Sequence, residues 1–131
     1  MSISGIEWVI DATGCDAGAL RDAATLERLF EAVIAAGRLT AAAPAVWHRF
    51  PHTGGLTGLQ ILTESHLTCH TFPEYGSLCL NVFCCVPRED WHPDRLVGAI
   101  VGAQHVHVRR LERQYGSQAV PASPVTLSTP S

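Results

Sequence analysis

Between Thr63 and Gly76 the chain carries Glu64, Ser65, His66, Cys69, His70 and Glu74. No other stretch gathers so many side chains able to attack a carbonyl, move a proton or bind a cation. A hydroxyl close to a histidine is the makings of an activated nucleophile, provided the two come within hydrogen-bond reach. The spacing resists this in the simplest geometry. If Ser65 to Phe72 is a strand, His66, Thr68 and His70 share one face, and Ser65, Leu67, Cys69 and Thr71 share the other. A turn, a bulge or a neighbouring strand must then bring Ser65 and His70 together. Judged by its position alone, Ser65 is an ordinary serine at the start of a strand.

Metal binding is the competing use of these side chains, with His66, His70, Cys69, Cys84 and Cys85 as candidate ligands. Zinc sites pair their ligands at short fixed spacings such as CxxC, a pattern this chain lacks. Cys84 and Cys85 are adjacent, so in a strand they point to opposite faces. No metal is expected. Cys69 and Cys79 read as small core residues. An odd cysteine count, with no signal-like segment at the start, implies a reducing, cytoplasmic setting.

The 131 residues are most simply one domain, large enough to bury a core without disulfides or metals. A net charge of -3 provides no basic field for nucleic acid. No apolar run is long enough to span a membrane. All nine basic side chains are arginine. Carbonyl chemistry through a lysine Schiff base, including that of pyridoxal phosphate, is therefore excluded.

The elements that must position the central stretch follow from periodicity. Residues 6–12 alternate as a strand, and Gly14-Cys15-Asp16 is a turn. Residues 23–37 form the best helix, with Leu26, Leu29, Phe30, Val33 and Ile34 on one face and Gly37 as a stop. Strands follow at 45–50 and 56–63, separated by the loop Pro51–Gly55. The strands 65–72 and 77–86 flank the turn Pro73-Glu74-Tyr75-Gly76. A helix at 94–104 and a strand at 105–111 close the domain, taken as 1–115. Residues 116–131, rich in Ser, Pro and Thr, read as a flexible tail. The sum is an α+β two-layer sandwich: a mostly antiparallel sheet with two helices packed on one face.

Thr63-Glu64-Ser65-His66-Leu67-Thr68, then His70-Thr71-Phe72-Pro73-Glu74-Tyr75-Gly76, then Phe83 and Cys85, resembles the signature of the bacterial and archaeal S-adenosylmethionine decarboxylases. The likeness extends to His48-Arg49-Phe50, Leu56-Thr57-Gly58, Gly14-Cys15-Asp16 and Val106-His107-Val108-Arg109. It covers most of residues 5–113. The resemblance implies a proenzyme that cuts its own backbone, here between Glu64 and Ser65, giving chains 1–64 and 65–131. The Ser65 hydroxyl attacks the Glu64 carbonyl and turns the amide into an ester. Elimination, tautomerisation and hydrolysis then release ammonia and leave a pyruvoyl group derived from Ser65. That ketone forms a Schiff base with the substrate amine and so stands in for the missing lysine.

By the same resemblance, His70 is the processing base, Thr57 the accompanying hydroxyl and Cys85 the proton donor. A thiol has a reference pKa of about 8.5 and is a credible donor at neutral pH. Glu74 matches the residue that binds the substrate ribose, and Phe72 lines the pocket. The implied partners are a small-molecule substrate with an amino acid moiety and a second copy of the processed α/β protomer in a homodimer. The implied reaction releases CO2 from S-adenosylmethionine for spermidine synthesis.

The sequence also departs from the family pattern. Asn81 stands where many members have aspartate, Phe72 where tryptophan is common and Trp8 where histidine is frequent. The Pro51–Gly55 loop is a residue longer than usual. These changes could reshape the pocket. Two alternatives stay open on the sequence: the same pyruvoyl chemistry on arginine or ornithine, and an unprocessed, non-catalytic ligand-binding or regulatory relative.

Overall fold

The computed structural model describes residues 2–85 and 89–117. In chain order they form β1 (Ser2–Thr13), α1 (Ala17–Arg21), α2 (Ala23–Ala36), β2 (Val46–Arg49), β3 (Leu56–Ile61), β4 (Ser65–Phe72), β5 (Ser77–Cys84), α3 (Pro93–Val101) and β6 (His105–Ser117). The strands make one antiparallel sheet in the order β2-β3-β4-β5-β1-β6. Alternation decides its two faces. Ile6, Trp8, Ile10 and Ala12 of β1, Leu67 and Cys69 of β4, and Leu78, Leu80, Val82 and Cys84 of β5 form one core with the helices. The helices contribute Leu20, Leu26, Leu29, Phe30, Val33, Val97 and Val101, all fully buried. Each such aliphatic side chain stabilises the fold by roughly 2 kcal/mol relative to an exposed one. The opposite face carries no helix, and it is the face that holds His66, Thr68, His70 and Phe72.

The α+β two-layer arrangement is as expected, with differences of detail. A third helix, α1, follows the Gly14–Asp16 turn. Its N-cap is Asp16, whose carboxylate accepts from the Gly18 N–H at 3.1 Å. Five residues are too few to show a periodic pattern. The residue that turns left-handed after α2 is Arg38 (φ 55°), while Gly37 keeps helical φ. β6 runs six residues past the expected end at Leu111, through Gly116 and Ser117 of the expected tail. Open-face pairs with β1 hold it there: Arg109 with Asp11 at 3.1 Å, and Arg113 with Glu7. Residues 118–131 and 86–88 lie outside the described residues. Cys69 is buried, but Cys79 lies on the open face and is exposed, contrary to its reading as core. Trp8 faces the helices, edge-on to Trp91 at 5.8 Å and under the Arg110 guanidinium, so it does not shape the open face. No helix among the described residues is long and apolar enough to cross a membrane.

Candidate active site

The Glu64–Ser65 peptide sits in the tight turn that joins β3 to β4. Leu62 N–H donates to the Ser65 carbonyl at 3.0 Å, and Thr63 N–H to the Thr40 carbonyl at 2.9 Å. The turn is therefore fixed on both sides. The Cys85 N–H donates to the Glu64 carbonyl at 2.9 Å. This is the carbonyl that a nucleophile at Ser65 would attack, and the donor lies where negative charge would develop on oxygen. The Ser65 Oγ is buried and has no hydrogen-bond partner among the described residues. A buried hydroxyl without a partner is costly, on the order of 1–3 kcal/mol, and an unengaged oxygen is available to attack.

Cys85 follows the last residue of β5 and is exposed, whereas Cys84 beside it is buried. Glu64, Ser65 and Cys85 thus meet at one end of β4 and β5. Each enters through the Ser65↔Cys84 pair of the strand register.

A second group lies at the other end of β4, on the open face. Thr57 of β3 is directly opposite His70 in the register, and its Oγ1 is 3.0 Å from His70 Nδ1. The Phe72 ring lies 6.4 Å from the His70 ring. Phe72 and Glu74 then line an open hollow of about 280 Å³ with Phe50, Pro51, His52, Thr53 and Thr71. The hollow's far wall, the Pro51–Gly55 loop, is tied down. Arg21 Nε donates to the Thr53 carbonyl at 3.0 Å, and Arg49 Nη1 donates to the carbonyls of Arg21 at 2.8 Å and Gly54 at 3.0 Å. Phe50 belongs to the His48-Arg49-Phe50 motif, but nothing in its spacing marked it as pocket wall. His52 and Thr53 carried no sequence signal.

The structure brings Thr57, His70, Phe72 and Glu74 together, and Glu64, Ser65 and Cys85 together. It does not bring the two groups together. Ser65 and His70 are five residues apart on a continuous strand, or about 16 Å at the usual rise. Their side chains project from opposite faces. No bulge or turn within β4 shortens the gap, because its pairing with β5 is regular from Ser65 to Phe72.

Between the groups the open face is charged and hydrogen-bonded. His66 stacks on Phe83 at 5.5 Å, with the Arg113 guanidinium on the same ring. The Asn81 amide donates to Glu7 at 2.7 Å. That hydrogen bond, with Arg113, holds the Glu7 carboxyl below its ordinary value despite partial burial. Burial, and then the facing Asp11, push the Cys79 thiol up. Burial raises the Cys69 thiol to about 12, which makes it an inert core residue. No group of three or more potential metal ligands occurs among the described residues.

The family model described as S-adenosylmethionine decarboxylase matches residues 6–114. This chain belongs to the S-adenosylmethionine decarboxylase family. Its similarity to an S-adenosylmethionine decarboxylase proenzyme of Thermococcus onnurineus is 32% identity, over 86% of this chain and 79% of that protein. A Pyrococcus horikoshii proenzyme is 30% identical over 86% of this chain and 81% of its own length. A bacterial proenzyme, from Halalkalibacterium halodurans, is 34% identical over 69% of each chain. The fold also matches the crystal structure of the adenosylmethionine decarboxylase from Aquifex aeolicus. There the TM-score is 0.74 at 21% identity, covering 93% of this chain and all of that one. The S-adenosylmethionine decarboxylase relatives are named as proenzymes.

Proposed function

We propose that this protein is a self-processing S-adenosylmethionine decarboxylase that cleaves itself between Glu64 and Ser65 and makes its pyruvoyl group from Ser65. The observation that carries this reading is the Glu64 carbonyl. It already accepts a backbone N–H from Cys85 at 2.9 Å, beside a buried serine oxygen with no other partner. These residues fit the group: a serine able to attack its own peptide bond, and a donor for the oxyanion. When the Ser65 oxygen attacks, its bond to the Glu64 carbon forms and the carbonyl electron pair moves onto oxygen, toward the Cys85 N–H. The Ser65 hydroxyl proton passes to a base. Collapse breaks the carbon–nitrogen bond and leaves Glu64 as an ester on Ser65, with a free Ser65 amine.

Once formed, the pyruvoyl group supplies an electron-withdrawing ketone for decarboxylation of an amino acid moiety, the chemistry that a lysine-free chain cannot otherwise provide. Side chains at the two ends of β4 do the rest, and because those ends are apart the hollow of one protomer serves the Ser65 end of its partner. Glu74 presents a carboxylate to hydroxyl groups of a substrate in the hollow, and Phe50 and Phe72 offer ring faces to a planar, cationic adenosyl group. Cys85, exposed at the Ser65 end, delivers a proton from Sγ.

His70 is the processing base and Thr57 its hydroxyl partner, but they serve the other protomer of a homodimer. A gap of about 16 Å across a regular strand keeps His70 from its own Ser65. Packing two open faces about a two-fold axis that lies between the sheets and across the strands reverses the partner's strand direction. The His70 end of one β4 then lies over the Ser65 end of the other. Leu59 and Ile61, 45% and 59% exposed on this face, support a partner there. All five cysteines lack disulfides, which suits a cytoplasmic enzyme.

Denaturing intact mass of the purified protein tests the reading. Two fragments are expected, ending at Glu64 and beginning at residue 65, the second lighter by one ammonia than a serine-started chain. Ser65→Ala should stay whole. An uncut wild-type chain sinks the proposal. Release of CO2 from S-adenosylmethionine, but not from arginine or ornithine, is expected of the processed protein.

A further inference from the structure

Cys85 performs two tasks at once, because its N–H holds the Glu64 carbonyl and its side chain is exposed beside Ser65. Yet it lies just past β5, whose ladder with β1 ends at Ile6↔Cys84. Ladder pairing therefore does not fix its orientation. The fixing contact comes from two strands away. Tyr115 of β6 donates its phenol hydrogen to the Cys85 carbonyl at 2.8 Å. The β1–β6 register explains how the ring gets there. Ser4 pairs with Gln114 and Ile3 with Gly116, so Tyr115 is the extra residue of a β-bulge. Bulges turn a side chain away from the direction that regular pleating would give it. Between β6 and β5 lies β1, and the residue at the crossing is Gly5. A Cβ on Gly5 would sit 2.4 Å from the Cys84 carbonyl oxygen and 3.2 Å from Cys85 Cα. Only a glycine lets the Cys84–Cys85 backbone lie so close to β1.

We infer that Tyr115 is a positioning residue for self-cleavage: its phenol locks the Cys85 peptide so that the Cys85 N–H stays on the Glu64 carbonyl. This rests on the self-processing reading above. With its N–H held by Glu64 and its carbonyl held by Tyr115, Cys85 cannot rotate away without losing both bonds. The donor is then already aimed when charge appears on the Glu64 oxygen, which is what makes an oxyanion donor effective. The aim depends on one hydroxyl, because Tyr115 is otherwise 58% exposed and contributes little burial.

Tyr115→Phe removes that hydroxyl alone. In freshly made proenzyme followed by denaturing mass spectrometry, it should cleave roughly five- to tenfold more slowly than wild type, the effect of one hydrogen bond on a barrier. Cleavage driven by hydroxylamine, which intercepts the ester, should slow by the same factor, because the affected step precedes the ester. The Tm should change by no more than about 2 °C. Gln114→Ala, the neighbour on β6 outside this chain of bonds, should cleave at the wild-type rate. Tyr115→Phe cleaving as fast as a cleaving wild type overturns the positioning role and leaves self-processing standing. Slowing matched by Gln114→Ala, or accompanied by a large loss of Tm, assigns the effect to strand stability and also overturns it. A wild type that never cleaves, with hydroxylamine or without, overturns the inference and the self-processing reading together.

Discussion

At the level of single residues, Asn81 shows how one substitution tunes a charged surface. Where many family members carry aspartate, this chain has an amide that donates to Glu7, and Arg113 completes the pairing. Glu7 is consequently held below its ordinary 4.5. A carboxylate depressed in the folded state contributes stability that is fully present above its unfolded value. That stability is lost as pH falls through the lower folded value. Asn81→Asp replaces the donor with a second negative charge and raises Glu7 again. Thermal melts between pH 3 and 7 should show Asn81→Asp less stable than wild type at pH 7, with the difference shrinking as acid protonates Glu7 in both proteins. A difference that stays constant down to pH 3 would show that the Asn81 amide does not control Glu7.

Much of the site was legible at this scale. Strict alternation over 65–72 put His66, Thr68 and His70 on one face and Ser65 on the other, as found. The Cys84–Cys85 split was also correct, because neighbours in a strand must diverge. Cys79 was misread because a cysteine's small apolar character says nothing of which face it takes. Its register partner Asp11 decides that, and pairings between strands distant in sequence do not show in a local pattern. Tyr115 was invisible for a related reason. It is placed by a bulge, and a bulge is a property of two strands rather than of either one.

Among elements, α1 is the clearest case of structure made by tertiary contacts. Five residues cannot sustain a helix alone, since nucleation is costly. Thr71, at the end of β4, supplies the missing support. Its buried hydroxyl donates to the Leu20 carbonyl at 2.8 Å and accepts from the Leu56 N–H at 2.8 Å. One oxygen thus ties α1, β3 and β4 together directly beneath the hollow that holds Phe72 and Glu74. Thr71→Val keeps the shape and leaves a buried carbonyl and a buried N–H unpaired. Urea unfolding should report a loss of about 2–4 kcal/mol. A loss under ~0.5 kcal/mol would mean that neighbouring groups repair both bonds. The far end of the sheet was misjudged for the opposite reason. The expected strand stopped at Leu111, yet Arg113 beyond it engages β1 through Glu7, as Arg109 and Arg110 do through Asp11 and the Trp8 ring. Edge strands are often kept charged, so polarity there does not end the pairing.

For the whole molecule, the separation of Ser65 from His70 is the dominant fact. Local alternation already set them on opposite faces, and the fold adds the regular pairing with β5 that forbids a shortcut. On the proposed dimer the completing geometry comes from the second protomer, which the pattern of one chain does not display. Such a shared site makes a sharp genetic demand. Ser65→Ala and His70→Ala chains should each stay whole when made alone, the first for want of a nucleophile and the second for want of a base. Made together in one cell, they form mixed dimers in which the Ser65→Ala protomer supplies His70 to the Ser65 of its partner. Only the His70→Ala chains should then be cut. Random pairing at equal expression limits this to about half of them. A differential tag resolves the two chains by mass. Cutting of His70→Ala chains made alone would remove His70 as the base. Failure of the mixture to cut any chain would return the base to the same protomer as Ser65. A rearrangement of β4 before cleavage would then be required to close the gap between them.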